Sequence, residues 1–254
     1  MHSRAFAKLI ERVRNKFVRT VLQDPTLLPP PGYMSARASA VYGEAFRRCF
    51  EFLSAQRIQG DIYEFGTFKG YTARHLATLM REFDTQGCLR LFDSFEGLPA
   101  IKDHADLLSY EVAITKVWAH HVMEVSPELP AIIRAKLSAL LSEDRVHVTK
   151  GYFEDSLTGL QPTGKAALIH VDCDLYQSTK TVLDFLISRD LLQDGAVLLL
   201  DDFNCNRAND SMGERRAVLE MLSGQYQYRV SRWFSYGWHG EAMFIQDMKV
   251  KPVD

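Results

Sequence analysis

Four short apolar runs in this sequence each stop abruptly at a glycine or an acid. Ile62–Phe65 stops at Gly66, Leu89–Phe92 at Asp93, Ala166–Val171 at Asp172, and Ala196–Leu200 at the pair Asp201-Asp202. A fifth run spans Val146–Thr149, and two more strand-like stretches, Tyr226–Phe234 and Glu241–Gln246, lie near the end of the chain. Between them sit helical periodicities. Tyr71–Phe83 sets Leu76, Leu79 and Met80 on one side, and Thr179–Ser188 forms a second such stretch. Strands that alternate with helices and read as unbroken apolar runs demand a mainly parallel sheet covered on both faces. The expected class is therefore α/β. In open sheets of this kind ligands bind beyond the carboxyl ends of the strands. Glu64, Asp93, Asp172, Asp201 and Asp202 are thus expected on one rim.

The chain of 254 residues suits one large domain. We divide it into an N-terminal helical extension, 1–58, and a sheet domain, 59–254. Residues 1–22 read as a basic amphipathic helix, with Phe6, Leu9, Ile10, Val13, Phe17 and Val18 on one face and arginines and lysines on the other. Such a helix either lies on an anionic membrane or docks on its own domain or a second subunit. Prolines at Pro25 and Pro29–Pro31 break it from a second helix, Ala36–Ala55. The segment 99–144 shows no strand pattern. It carries Tyr110, Trp118, His120 and His121, then an apolar helix, Ile132–Leu141. At that length it is a helical insertion rather than a bare loop, serving either as a lid over the rim or as a packing excursion.

Net charge is −2, so no basic field exists to hold a nucleic acid. No apolar run approaches the roughly 18–20 residues that span a bilayer, and no signal-peptide pattern opens the chain. Cys49, Cys88, Cys173 and Cys205 form no C-x-x-C pair. Reduced thiols and a cytoplasmic location are the expectation.

The turn after the first strand reads Glu64-Phe65-Gly66-Thr67-Phe68-Lys69-Gly70. Gly66 permits a tight turn and close backbone approach. A dinucleotide loop would carry three glycines as G-x-G-x-x-G. Here Phe68 takes the middle position, and Glu64 would repel a pyrophosphate. A cationic ligand with a sulfonium and an α-amino group, S-adenosylmethionine, suits Glu64 better. Asp93 can accept the hydroxyls of its ribose, or can serve only as a helix cap.

The other acids point to a cation. His170-Val171-Asp172-Cys173-Asp174 ends one strand and Asp201-Asp202 the next, one crossover helix apart. Asp172, Asp201 and Asp202 can meet around one ion, and an oxygen-only set suits Mg²⁺. Burying three carboxylates together without a cation is costly. Asp174 can be a simple helix cap. A diol bound at such an ion would have its hydroxyl acidified, with Asp172 taking the proton as general base.

The blocks Glu64–Gly70, Asp93-Ser94-Phe95-Glu96-Gly97-Leu98-Pro99, Gly151-Tyr152-Phe153-Glu154-Asp155-Ser156-Leu157, Asp172-Cys173-Asp174-Leu175-Tyr176-Gln177-Ser178-Thr179 and Asp201-Asp202-Phe203 occur in order. Together they resemble the macrocin O-methyltransferase family, over about residues 60–246. The resemblance implies a Rossmann-like class I methyltransferase fold with a seven-stranded sheet, often oligomeric. It implies a SAM- and Mg²⁺-dependent transfer of a methyl group to a hydroxyl of a sugar or glycoside, natural product or surface polysaccharide. It places Glu64, Gly66, Thr67, Phe68, Gly70, Thr72, Asp93, Ser94, Gly151, Phe153 and Asp172 around the cofactor. Asp172, Asp201 and Asp202 match the metal ligands, and Asp172 also matches the base. The insertion and the basic N-terminal helix depart from the motif set, and both lie where acceptor choice or assembly would be decided. A catechol-type phenol acceptor is the alternative within methyltransferases. An NAD-dependent oxidoreductase would leave the acid cluster without a role. A non-catalytic scaffold would be expected to lack rim acids that are all present.

Overall fold

The computed structural model describes residues 36–120, 123–222 and 227–249. The amphipathic stretch 1–22, the prolines that follow it and His121 lie outside these residues.

A single seven-stranded sheet organises the chain. Its strands are β1 (Asp61–Phe65), β2 (Leu89–Asp93), β3 (Val146–Lys150), β4 (Ala166–Val171), β5 (Val197–Leu200), β6 (Tyr228–Tyr236) and β7 (Gly240–Asp247). They lie in the order β3-β2-β1-β4-β5-β7-β6. The first five pair in parallel, and β7 closes antiparallel against both β5 and β6. The order reverses between β1 and β4, which opens a crevice at their carboxyl ends.

The helices are α1 (Ala36–Ala55), α2 (Tyr71–Glu82), α3 (His104–Leu107), α4 (Tyr110–Ala113), α5 (Leu129–Ser138), α6 (Phe153–Ser156), α7 (Tyr176–Ser188) and α8 (Gly213–Leu222). Because successive strand residues face opposite ways, Ile62, Leu89, Leu91, Leu168 and Leu199 pack into one core with α1, α2 and α5. Tyr63, Phe65, Phe92, Ile169, Val171 and Leu198 pack into the other with α7 and α8. Helix α1 carries Phe46, Cys49 and Phe50 fully into the first core. Residue 58 therefore marks a change of secondary structure, while the packing runs on across it.

Several elements differ from the sequence expectation, α7 and α8 among them. Helix α7 begins at Tyr176, a few residues before the expected Thr179, because a distant residue caps it. Asp106 accepts from the backbone N–H groups of Tyr176 (2.9 Å) and Gln177 (3.2 Å). Helix α8 has no counterpart in the sequence expectation. The insertion is helical, as expected, in three short pieces, α3 to α5. No helix among the described residues is long and apolar enough to cross a membrane.

Candidate active site

The parallel ladder continues one rung past the strands, which sets the rim residues side by side. Gly66 N–H donates to Phe92 O (2.9 Å), Asp172 N–H to Phe65 O (2.8 Å), Asp201 N–H to Val171 O (2.8 Å) and Gly151 N–H to Asp93 O (2.9 Å). At the switch point β1 and β4 come so close that a Cβ on Gly66 would collide with the Asp172 carbonyl oxygen, and its φ is +93°. Glycine is required there. Gly70 serves a different purpose, since with φ +75° it is the left-handed residue that launches α2.

Above this rim lies a cleft with about 1170 Å³ of empty space, open solvent included. Of the residues expected around a cofactor, Gly66, Thr67, Phe68, Thr72, Asp93, Ser94, Gly151, Phe153 and Asp172 line it. Glu64 and Gly70 do not. Glu64 is fully buried beneath the rim, where its Oε1 lies 3.2 Å from His170 Nδ1. The pairing occupies one oxygen only, and Glu64 Oε2 is buried with no hydrogen-bond partner among the described residues. Asp93 stands at the cleft, but neither as a helix cap nor as a free acceptor. Its Oδ2 accepts from Phe68 N–H (2.7 Å) and its Oδ1 from Phe95 N–H (2.5 Å), so it ties the glycine loop to the next turn. The backbone N–H of Thr67 also approaches it, and the carboxylate keeps lone-pair capacity for a hydroxyl. Thr67 Oγ1 and Tyr71 Oη are buried on the cleft wall with no hydrogen-bond partner among the described residues. A ligand's polar groups would satisfy them.

The acids gather at the other end. Asp172, Asp174 and Asp202 each bring one carboxylate oxygen within 4.8 Å of the other two. Octahedral Mg²⁺, with ligands at about 2.1 Å, spans oxygens roughly 3–4 Å apart, so this spacing is close to what a small cation needs. The compact trio thus contains Asp174 in place of the expected Asp201. Asp174 caps nothing, because Asp106 fills that position, and its own φ of +60° is left-handed. Asp201 stands beside the trio, on the same cleft wall. Its Oδ2 accepts from Tyr42 Oη (2.7 Å), and its Oδ1 is 3.6 Å from His239 Nδ1 and 3.9 Å from His170 Nε2. Asp201 Oδ1 and Asp202 Oδ2 are buried with no hydrogen-bond partner among the described residues.

The electrostatics separate the two kinds of acid. Burial first, then mutual repulsion with Asp201 and Asp202, holds Asp172 well above the usual carboxylate range. Burial and the charges of Asp202 and Asp201 do the same to Asp174. Asp202 rises to about 7 through burial and the Asp201 charge. Glu214, which accepts from Asp202 N–H at 2.9 Å, is raised by burial and by Asp202. Burial alone would raise Asp201 too, but His170, His239 and Tyr42 outweigh it and lower its pKa. Burial opposes charge on His170 as well, yet Asp201 and Glu64 carry it up to about 9. Acids raised in this way are short of positive charge, and a divalent cation would supply it.

Several cleft residues carry no sequence signal of the kind used above. Tyr42 comes from α1, and Trp118 and Met123 from the insertion. The insertion is bonded to the acid-bearing loops. Besides the Asp106 cap, Glu111 accepts from Asn206 N–H (3.1 Å), and Trp118 packs with Leu98, Leu175 and Cys205. Of the two readings left open for the insertion, lid or packing excursion, the structure has it lining the cleft as a wall through Trp118 and Met123.

Residues 34–222 match the family described as macrocin-O-methyltransferase (TylF). The chain is 30% identical over 170 residues to the 8-demethyl-8-(2,3-dimethoxy-α-L-rhamnosyl)-tetracenomycin-C 4'-O-methyltransferase of Streptomyces olivaceus, covering 66% of this chain and 62% of that one. It is 26% identical over 180 residues to the demethyldecarbamoylnovobiocin O-methyltransferase of Streptomyces niveus, covering 70% and 66%. The chain thus spans just under two thirds of the length of these curated relatives. Among solved structures, the calicheamicin methyltransferase CalS11 superposes with a TM-score of 0.65 at 19% identity, covering 92% of each chain. That likeness shows the fold: the class I methyltransferase sheet expected from the sequence.

Proposed function

The chain belongs to the macrocin O-methyltransferase family, and from that premise we propose that it transfers a methyl group from S-adenosylmethionine to a hydroxyl of a sugar or glycoside with the help of a divalent cation, Mg²⁺ by its oxygen-only ligand set. The observation that carries the reading is the double character of one cleft. A glycine turn with unsatisfied hydroxyls forms one end, and a cluster of cation-poor acids forms the other, with Asp172 at the junction. The names of the relatives supply the acceptor class: one acts on a rhamnosyl tetracenomycin.

The residues divide the work by position. Gly66, Thr67, Phe68, Thr72, Asp93, Ser94, Gly151 and Phe153 surround the cofactor's end of the cleft. S-adenosylmethionine, when bound, supplies an electrophilic methyl group on a sulfonium. Asp93 offers its remaining lone pairs to ribose hydroxyls while holding the glycine turn in place. Asp172, Asp174 and Asp202 supply the oxygens for the cation, and the unpartnered Oδ1 of Asp201 stands next to them. A bound divalent ion lowers the pKa of a coordinated hydroxyl and neutralises its neighbours. Asp172 lies against Gly66, where the two ends meet, and takes the proton from the acceptor hydroxyl. Tyr42 fixes the Asp201 carboxylate through Oδ2, and His239 holds the Asp201 backbone carbonyl. The protein's part is chiefly orientation and charge neutralisation.

Incubation with isotopically labelled S-adenosylmethionine and a panel of deoxyhexosyl glycosides tests this reading. The glycosides should gain one labelled methyl, EDTA should abolish the gain, and Mg²⁺ should restore it. Asp172→Asn should reduce turnover by roughly a hundredfold or more. Labelling of catechols alone, or full activity in EDTA, would refute it.

A further inference from the structure

The β6–β7 hairpin projects over the same rim as the acids. Strand β7 runs antiparallel to β5, with Glu241 paired to Leu200, so the residues just before β7 stand beyond the carboxyl end of β5, next to Asp201. The turn is bolted to that loop on both sides of one residue. His239 Nδ1 lies 2.8 Å from Asp201 O, and His239 O accepts from Asn204 N–H at 2.8 Å. The residue before it, Trp238, is 73% exposed, the most exposed of the large hydrophobic side chains among the described residues. Its ring centroid lies 5.5 Å from that of His239, which lies 6.1 Å from that of Tyr42 on the cleft wall. An indole on an anchored turn therefore stands just outside the acid end of the cleft.

The charges around the cleft restrict what could lie there. Lys69 is the one lysine or arginine among the described lining residues, and it belongs to the glycine turn at the other end. No lysine or arginine lines the acid end of the cleft among the described residues, and Arg215, the cation on the adjoining loop, is already held by Asn204 Oδ1 (2.7 Å) and Phe203 O (3.3 Å). An uncharged indole face instead favours a flat apolar ring.

We propose that Trp238 is a specificity-determining platform, on which an apolar ring system attached to the reacting sugar stacks while the sugar itself occupies the acid end of the cleft. The inference rests on the methyltransferase reading above and goes beyond it. It makes the preferred acceptor a finished glycoside with a ring-bearing aglycone, in place of a free sugar or a nucleotide-linked one.

Two probes that share a sugar separate these cases: p-nitrophenyl α-L-rhamnopyranoside and methyl α-L-rhamnopyranoside. The wild-type chain should methylate both, with KM for the aryl glycoside lower by roughly fivefold to tenfold. Trp238→Ala should raise KM for the aryl glycoside to that of the methyl glycoside. Its kcat, its affinity for S-adenosylhomocysteine and its melting temperature should stay as in the wild type. Trp238→Phe should retain most of the preference. Equal KM values for the two probes in the wild type, or an unchanged ratio in Trp238→Ala, would overturn the platform while leaving the methyltransferase reading intact. So would an equal loss of kcat on both probes. Transfer to neither probe, but to catechol, would overturn both.

Discussion

His75 carries a penalty that its neighbours impose. It sits on α2 with its ring edge-on to Tyr71 at 5.0 Å, and its Nε2 is buried without a hydrogen-bond partner among the described residues. Burial and the adjacent Arg74 charge lower its pKa from 6.5 to about 4. Between those two values the unfolded chain binds a proton that the folded chain refuses. Stability from this source is complete above pH 6.5 and drains away as pH falls toward 4, by up to about 3 kcal/mol. His75→Leu should flatten that fall. Urea denaturation of both proteins at neutral pH and near pH 5 reads the difference, and parallel pH dependence in the two would show that His75 is not the cause. The same scale explains which site residues could be read from sequence. Asp93, Asp172, Asp201 and Asp202 are visible because each directly follows an apolar run. Glu64 lies in such a run too, but its partner His170 is on another strand and holds it beneath the rim, which no local pattern reveals. Asp174 looks like the cap of the helix after it, and only the structure shows that Asp106 holds that position.

Helix α7 shows how an element can be set by a residue far away in the chain. Its own sequence provides no side-chain cap, since the residue before it is Leu175. The buried Asp106 of the insertion supplies the acceptor and adds a negative charge at the helix N-terminus. Asp106→Ala should cost about 1–2 kcal/mol of stability, measurable in urea. Because α7 follows Asp172–Asp174 directly, the same variant should also weaken binding of Mn²⁺ as a probe of the acid cluster. Destabilisation with Mn²⁺ affinity unchanged would show that the insertion supports the fold but not the site. Strands and the longer helices are legible in the sequence because apolar runs and helical spacing report burial on two faces. Helix α8 is not, and neither are α3, α4 and α6, whose four residues each make a single turn, too short for a period to emerge. The role of the insertion as a wall depends on contacts with loops after β4 and β5 that no local pattern encodes.

At the scale of the molecule, the proposed function follows from the sheet order. The reversal between β1 and β4 brings the glycine turn against Asp172, and the β4–β5 pairing brings Asp172 against Asp201 and Asp202. Two features that are separate in sequence, a glycine turn and an acid cluster, thus share one cleft. The acid cluster is destabilising when bare, with Asp172, Asp174 and Glu214 all pushed toward their neutral forms. A divalent cation that binds the folded chain and not the unfolded one must raise its stability. The direct measurement is anomalous diffraction from crystals grown with Mn²⁺ and S-adenosylhomocysteine. One manganese peak bounded by Asp172, Asp174 and Asp202 is expected, with the nucleoside over Gly66 and Asp93. The nucleoside bound there with no manganese among those acids would contradict the shared-cleft chemistry.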